Sequence, residues 1–255
     1  MRGCQPAFRG VMMSVVKGDT AKDRQEHAKR AVDCFSKATY FFCSALWGYM
    51  VIKETNWLPW WMGGPQGGGF SNMFENAPFT PCPKPVLEYS LFTMGFHTGQ
   101  FITHFEDMSR SDFHEMLLHH IATNGLYFGF IFSNLMPIGA TIAFLHDIAD
   151  IFGMLSKGLS STRFDTATLI VFALMMVLWA MTRLVWLPIL IYNIYTNPVF
   201  SFAPGLEHFQ PYITLNGVFL SFLQFLHAFW FYLFLVMIYN KITKGKVEDI
   251  QNKVK

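Results

Sequence analysis

Two short runs of ionisable residues stand out in a chain that is otherwise strongly apolar. The first holds the adjacent pair His119 and His120, and the second reads Leu-His-Asp-Ile-Ala-Asp, with His146, Asp147 and Asp150. On a helix His146 and Asp150 are four residues apart and share a face, while Asp147 lies one turn from Asp150. Imidazoles and carboxylates at this spacing can serve in general acid–base and nucleophilic catalysis.

Three kinds of site fit these residue types. Imidazoles and carboxylates ligate non-haem iron and zinc, but the other histidines do not complete a ligand set, so no metal site is predicted. In acyl transfer, an imidazole would act on a thioester as nucleophile or general base, with a carboxylate orienting it. In a structural role, the polar groups would only hydrogen-bond within a helix bundle. The residues alone leave acyl transfer and a structural role equally open.

The elements that carry these residues are predicted to lie in a membrane. The chain has 255 residues, of which 52% are hydrophobic and 17% aromatic, and only 14% are charged, against roughly 25% in soluble domains. This composition argues against a soluble enzyme and against disorder. The cysteines are scattered without a Cys-x-x-Cys pair, which argues against a disulfide scaffold. We therefore predict an all-α polytopic membrane protein.

Apolar runs of about 20 residues per crossing predict six transmembrane helices. The first is the shortest and spans only if Lys37 and Lys53 snorkel to the two interfaces. Around these spans we expect an N-terminal basic arm (1–33), a transmembrane domain (34–242) and a cytoplasmic tail (243–255). The predicted spans are 36–53, 86–106, 115–133, 138–156, 166–195 and 212–240.

The distribution of basic residues predicts the orientation. With six spans, sixteen of the nineteen Lys and Arg residues fall on one side, so the positive-inside rule places both termini in the cytoplasm. The third and fourth spans then run antiparallel. His119 and Asp150 would lie ~10 Å from the cytoplasmic edge and His146 ~16 Å from it, so the two polar clusters are expected to face each other. Arg183 lies deeper and is expected to pair within the bundle or snorkel to the far interface.

The run from Asp112 to Lys157 resembles the signature of the ceramide synthases within the TLC-domain family. That signature has a basic residue, Asp and an aromatic residue, then His-His-x-x-Thr, Asn, Gly, Leu-His-Asp-x-x-Asp and Lys. Further similarity, around Arg183 and from Leu223 to Leu233, extends the resemblance to roughly residues 33–250. The matching positions of the signature are Arg110, Asp112, Phe113, His119, His120, Thr123, Asn134, Gly139, Leu145, His146, Asp147, Asp150 and Lys157.

The resemblance implies a six-helix TLC bundle in the endoplasmic reticulum. It also implies transfer of a fatty acyl group from acyl-CoA to a long-chain sphingoid base, forming (dihydro)ceramide, with acyl-CoA as co-substrate and no other cofactor. His119 would be the nucleophile or base and His120 the second choice. The other assignments are Asp147 and Asp150 for orienting imidazoles, His146 for proton transfer, Arg110 and Lys157 for the CoA phosphates, and Asn134, Gln224 and His227 for the lipid substrate.

Two departures from the family pattern keep a second hypothesis open. Pro137 stands where the family usually has Arg, and Met154 stands where it usually has Glu. Loss of a base together with an acid fits a TLC scaffold kept as a non-catalytic lipid-binding or assembly subunit of a larger membrane complex. Residues 1–18 are basic without an acid, which weakly resembles a mitochondrial presequence, so the mitochondrial inner membrane is the alternative location. Membrane lipid and a homo-oligomer or complex are the expected partners, and nucleic acid is not.

Overall fold

The computed structural model describes residues 5–75, 77–79, 81–107, 112–196, 208 and 210–244. In these residues the chain is helical, apart from turns and one isolated antiparallel bridge between Val16 and Thr162. A π-helical segment, Ala180–Trp186, joins α6 to α7. The α-helices are α1 (Gln5–Met12), α2 (Ala21–Ile52), α3 (Lys84–His104), α4 (Phe113–Phe132), α5 (Met136–Ser160), α6 (Asp165–Trp179), α7 (Leu187–Thr196) and α8 (Gln210–Lys244).

Three helical stretches of the described chain are long and apolar enough to cross a membrane. They are Met136–Ser160, Asp165–Thr196 and Gln210–Thr243, and they match the last three predicted spans. The first three predicted spans fall on α2, α3 and α4, which are helical but less apolar. The all-α prediction is confirmed for the described residues, while the count of six spans stays a prediction.

Local sequence explains where several helices begin. The backbone N–H of Asp23 donates to Thr20 Oγ1 (3.1 Å), and the Thr20 N–H donates back to Asp23 Oδ2 (3.3 Å), which forms a capping box at the start of α2. The hydrogen bonds from Thr20 lower the pKa of the Asp23 carboxyl. Pro137 lies in the first turn of α5, where a helix needs no N–H donor.

The described residues form two compact units. The first comprises Met1–Leu46 and Phe144–Thr182. In this unit α2 and α5 run antiparallel. Phe35, earlier on α2, has its ring 3.1 Å from the Cβ position of Gly158 near the end of α5, whereas Ser44, later on α2, bonds to Asp147 earlier on α5.

The segment after α1 is packed within the first unit. Lys17 N–H donates to Ser161 O (3.0 Å), and Arg163 N–H donates to Val15 O (3.0 Å). Val16 is completely buried, in an apolar cluster that includes Met12. The predicted basic arm is therefore partly folded onto the turn between α5 and α6.

The second unit comprises Trp47–Ala143 and Arg183–Lys255. Its centre is α4, which packs against α3 on one side and α8 on the other. Gly125 and Gly129 repeat at four-residue spacing along α4, where small residues let helices approach closely. A Cβ at Gly129 would overlap the Asn216 side chain of α8, and a Cβ at Gly125 would overlap the Phe219 ring.

The chain between α2 and α3 also belongs to the second unit. It contains two short 3-10 turns, Trp60–Met62 and Phe70–Phe74, as expected for a Gly- and Pro-rich segment. The Trp61 ring lies 5.3 Å from the Trp186 ring in the π-helical segment. The Asn134 amide, on a residue with φ of 52°, donates to Pro78 O. The connection between α2 and α3 therefore contacts both the π-helical segment and the residue Asn134 that follows α4.

Candidate functional site

His119 faces α8 in the second unit. Its ring centroid lies 5.3 Å from that of Trp230, edge to face, and 6.4 Å from that of His227. His227 is completely buried, and the rings of His227 and Trp230 lie 6.1 Å apart. Because Gly129, nearly three turns later on α4, faces Asn216, the helices must run antiparallel. This arrangement holds one imidazole against two aromatic rings.

His120 faces the other way, toward α3, because successive side chains on a helix point about 100° apart. Its ring lies 5.2 Å from that of His104, whose Nε2 donates to Phe113 O (3.0 Å). One turn later on α4, Asn124 also bonds to α3. Thr98 Oγ1 donates to Asn124 Oδ1 (2.7 Å), and Asn124 Nδ2 donates to His120 O (2.8 Å). His120 therefore lies in a polar seam between α3 and α4, whereas His119 lies between α4 and α8.

Arg183 is buried within the second unit, with 3% of its surface exposed. It lies in the π-helical segment and interacts electrostatically with His97, whose ring lies 5.7 Å from that of Tyr127. This burial favours a position inside the protein, and pairing of Arg183 within the bundle stays a prediction. The π-helical segment precedes Pro188, which has no N–H to donate to the preceding turn, and π-helical turns are frequent at functional sites.

Asp147 is the buried carboxylate of the first unit, with 1% of its surface exposed. Ser44 Oγ donates to its Oδ2 at 2.6 Å, which is a short hydrogen bond. Tyr40, one turn before Ser44 on α2, also interacts with Asp147. Sequence reasoning missed Ser44 and Tyr40. The available signal was that both polar groups share one face of the first predicted span.

His146, Asp150 and Lys157 follow along α5 in the same unit, and all three are half-buried. His146 and Asp150 share a face, as predicted. Lys157 lies in the last turn of α5, near the Cys34 thiol. Burial raises the pKa of Cys34, and the Lys157 cation opposes that effect.

Residues 30–236 match the family model of the TLC domain. The chain belongs to the TLC-domain family. Ceramide synthase hyl-2 of Caenorhabditis elegans is 31% identical over 90% of this chain and 69% of its own length. Ceramide synthase hyl-1 of the same species is 29% identical over 88% of this chain and 61% of its own length. Mouse (Mus musculus) ceramide synthase 4 is 30% identical over 91% and 56% respectively, so the chain spans less than two thirds of the last two.

The predicted site of the TLC domain divides between the two units. His119, His120 and His227 come together in the second unit, while His146, Asp147, Asp150 and Lys157 lie in the first. The expected meeting of the two clusters stays a prediction. Gln224 lies one turn from His227 on α8, and Arg110 lies outside the described residues.

Asn134 is the predicted site residue that lies apart from the histidines. It follows α4 at the end opposite His119, ~20 Å along the helix, and its amide is bonded to the connection between α2 and α3. This contact favours a structural role for Asn134. In the described part of the chain, no three His, Cys, Asp or Glu side chains converge as metal ligands.

Proposed function

We propose that this TLC-domain protein transfers a fatty acyl group from acyl-CoA to the amine of a long-chain sphingoid base, forming (dihydro)ceramide. The observation that carries the proposal is the half-buried His119 imidazole, held on α4 against Trp230 and His227. The relatives named ceramide synthases support the same reaction. In the proposed reaction acyl-CoA is the co-substrate, and no metal takes part.

His119 has two balanced ways to act. As a nucleophile, a ring nitrogen attacks the thioester carbon, the C–S bond breaks, and the CoA thiolate leaves with the proton of the other ring nitrogen. The amine then attacks the acyl-imidazole, the bond from the acyl carbon to the ring nitrogen breaks, and the released imidazole takes up the proton that the amine loses as the amide forms. As a base, the ring takes a proton from the amine during direct attack on the thioester and passes it to the departing thiolate. Both routes need one unprotonated ring nitrogen, and His120 is the second candidate for either.

The first unit is proposed to supply the supporting charges. Asp150 shares a face of α5 with His146 and would orient that imidazole for proton transfer. The hydrogen bond from Ser44 keeps the Asp147 carboxylate in one position, from which it would stabilise positive charge on an imidazole. Lys157 and Arg110 would attract the CoA phosphates from the cytosol.

The proposed topology has six spans, with α2, α3 and α4 supplying the three less apolar ones. Both termini would lie in the cytosol, and the membrane would be that of the endoplasmic reticulum, as the family relationship supports. The comparisons offer no support for a mitochondrial location. Epitope tags at both termini should react with antibody after selective permeabilisation of the plasma membrane. Protection of one terminus alone would require an odd number of spans.

The test of activity is N-acylation of a sphingoid base by the purified protein, followed by mass spectrometry of the lipid product. We expect His119→Ala to abolish turnover. The matched control is His114→Ala, because His114 is exposed on the first turn of the same helix. If an acyl adduct forms on the His119 peptide, His119 is the nucleophile. Equal activity of His119→Ala and wild type would refute the catalytic assignment.

A non-catalytic alternative rests on the two positions that depart from the family pattern, Pro137 and Met154. Pro137 is accommodated in the first turn of α5, and Met154 is half-buried on the same helix, so neither position keeps a charge. A folded wild-type protein without turnover, across a panel of acyl-CoA chain lengths and amines, would favour a lipid-binding or assembly subunit. Stable co-purification with other membrane proteins would then identify its complex.

A further inference from the structure

The Thr123 hydroxyl differs from its counterparts on the other helices. Ser90, Thr93, Thr141 and Thr182 each donate to the carbonyl oxygen four residues earlier, which is the usual way a helical hydroxyl is satisfied in an apolar setting. Thr123 Oγ1 is buried and has no hydrogen-bond partner among the described residues. Its hydroxyl is therefore available to another group.

Gln224 of α8 shows the same feature. Its Oε1 is buried and accepts no hydrogen bond from the part of the chain that the structure describes. A buried amide oxygen in native proteins nearly always has a partner, either protein, water or ligand. Two such atoms on neighbouring helices indicate a place where a polar group binds.

The register of α4 and α8 brings these two residues to one level. His119 faces His227, and farther along α4 Gly125 faces Phe219. Thr123 lies one turn past His119, and Gln224 lies one turn before His227 on the antiparallel helix. Along the helix axes, Thr123 therefore lies ~6 Å from His119 and Gln224 ~4.5 Å from His227.

We propose that Thr123 and Gln224 form a hydrogen-bonding subsite for a hydroxyl group of the acyl acceptor. An alcohol both donates and accepts hydrogen bonds. Its O–H can donate to Gln224 Oε1 while its oxygen accepts a hydrogen bond from Thr123 Oγ1. The spacing from His119 places this hydroxyl close to the reacting nitrogen. The subsite thus selects long-chain amines that carry a hydroxyl one or two carbons from the amine. This inference rests on the proposed function, because it takes His119 as the reacting centre.

The test compares two acceptors of equal chain length, a long-chain amino alcohol and the corresponding alkylamine without hydroxyl groups. A site built to bond a hydroxyl rejects the analogue that lacks it, so wild type should prefer the amino alcohol at least tenfold in kcat/KM. Thr123→Val and Gln224→Met should each reduce that preference severalfold, because each should lower kcat/KM more for the amino alcohol than for the alkylamine. Controls are Thr103→Val and Gln66→Leu, which alter exposed residues of the same unit.

Two results would overturn the subsite. One is a wild type without preference between the acceptors, and the other is an equal loss for both acceptors in the two variants, which would indicate a purely structural role. A binding measurement separates this outcome from failure of the proposed function. If wild type shows no turnover, calorimetric titration with each amine must still show tighter binding of the amino alcohol, and Thr123→Val must remove the difference. Equal binding of both amines would reject the subsite.

Discussion

The close approach of α4 to α8 predicts that Gly129→Ala destabilises the protein. A methyl group at position 129 would overlap Asn216 Oδ1 and lie 2.9 Å from Asn216 Cγ. Asn216 is 1% exposed, so its side chain has little room to move. Its amide also donates to Ser133 Oγ at 3.4 Å, and a shift of Asn216 would break this bond.

The size of the effect follows from three opposing contributions. Overpacking of a well-packed interior costs about 1–3 kcal/mol, and loss of the Asn216–Ser133 bond adds about 0.5–1.5 kcal/mol. The higher helix propensity of alanine offsets about 1 kcal/mol of this destabilisation. The net loss is therefore about 0.5–3.5 kcal/mol. For a chain of this size each kcal/mol moves the thermal midpoint by about 2–4 °C, so we expect a decrease of roughly 1–14 °C.

The assay is thermal unfolding of purified protein in detergent, followed by intrinsic tryptophan fluorescence. Gly99→Ala is the matched control, because a Cβ there meets nothing within 4 Å, and it should leave the midpoint unchanged or raise it. Asn216→Ala should relieve the overlap, so Gly129→Ala should cost much less in that background. If Gly129→Ala is as stable as Gly99→Ala, the close approach of the two helices is wrong.

Two further predictions concern the first unit and the connection between α2 and α3. Ser44→Ala leaves the buried Asp147 side chain without this donor and should lower the free energy of unfolding by about 1–3 kcal/mol. The control Ser14→Ala, which alters an exposed hydroxyl, should not. Equal thermal midpoints for the two variants would contradict the hydrogen bond between Ser44 and Asp147. Burial raises the pKa of the half-buried Cys82 thiol. Because the thiolate is the reactive form, the rate of maleimide labelling of Cys82 should be low at neutral pH and should increase at a higher pH than the rate for a free thiol. Cys34, which is buried and whose pKa is also raised, should stay unlabelled until the protein unfolds, and labelling of Cys34 as fast as of Cys82 in the folded protein would contradict its burial.

Much of the helical framework was predictable because hydropathy and capping are local properties. Three of the predicted spans correspond to helices long and apolar enough to cross a membrane. The His-His-x-x-Thr and Leu-His-Asp-x-x-Asp runs were sufficient to recognise the TLC-domain family, and the match of residues 30–236 confirms it. Non-local features were missed. The packing of Val16 against the α5–α6 turn, for example, depends on residues near position 162.

Residue type, spacing and hydropathy are local properties of the chain, so they were enough to predict candidate site residues and the helices that carry them. The contacts of those residues could not be predicted in this way, because they form between distant parts of the chain. Adjacent histidines diverge, with His119 against Trp230 and His120 against His104. The partner of Asp147 is Ser44, 103 residues away. Such contacts depend on how helices pack and in which register, and packing is the sum of many weak interactions between distant parts of the chain.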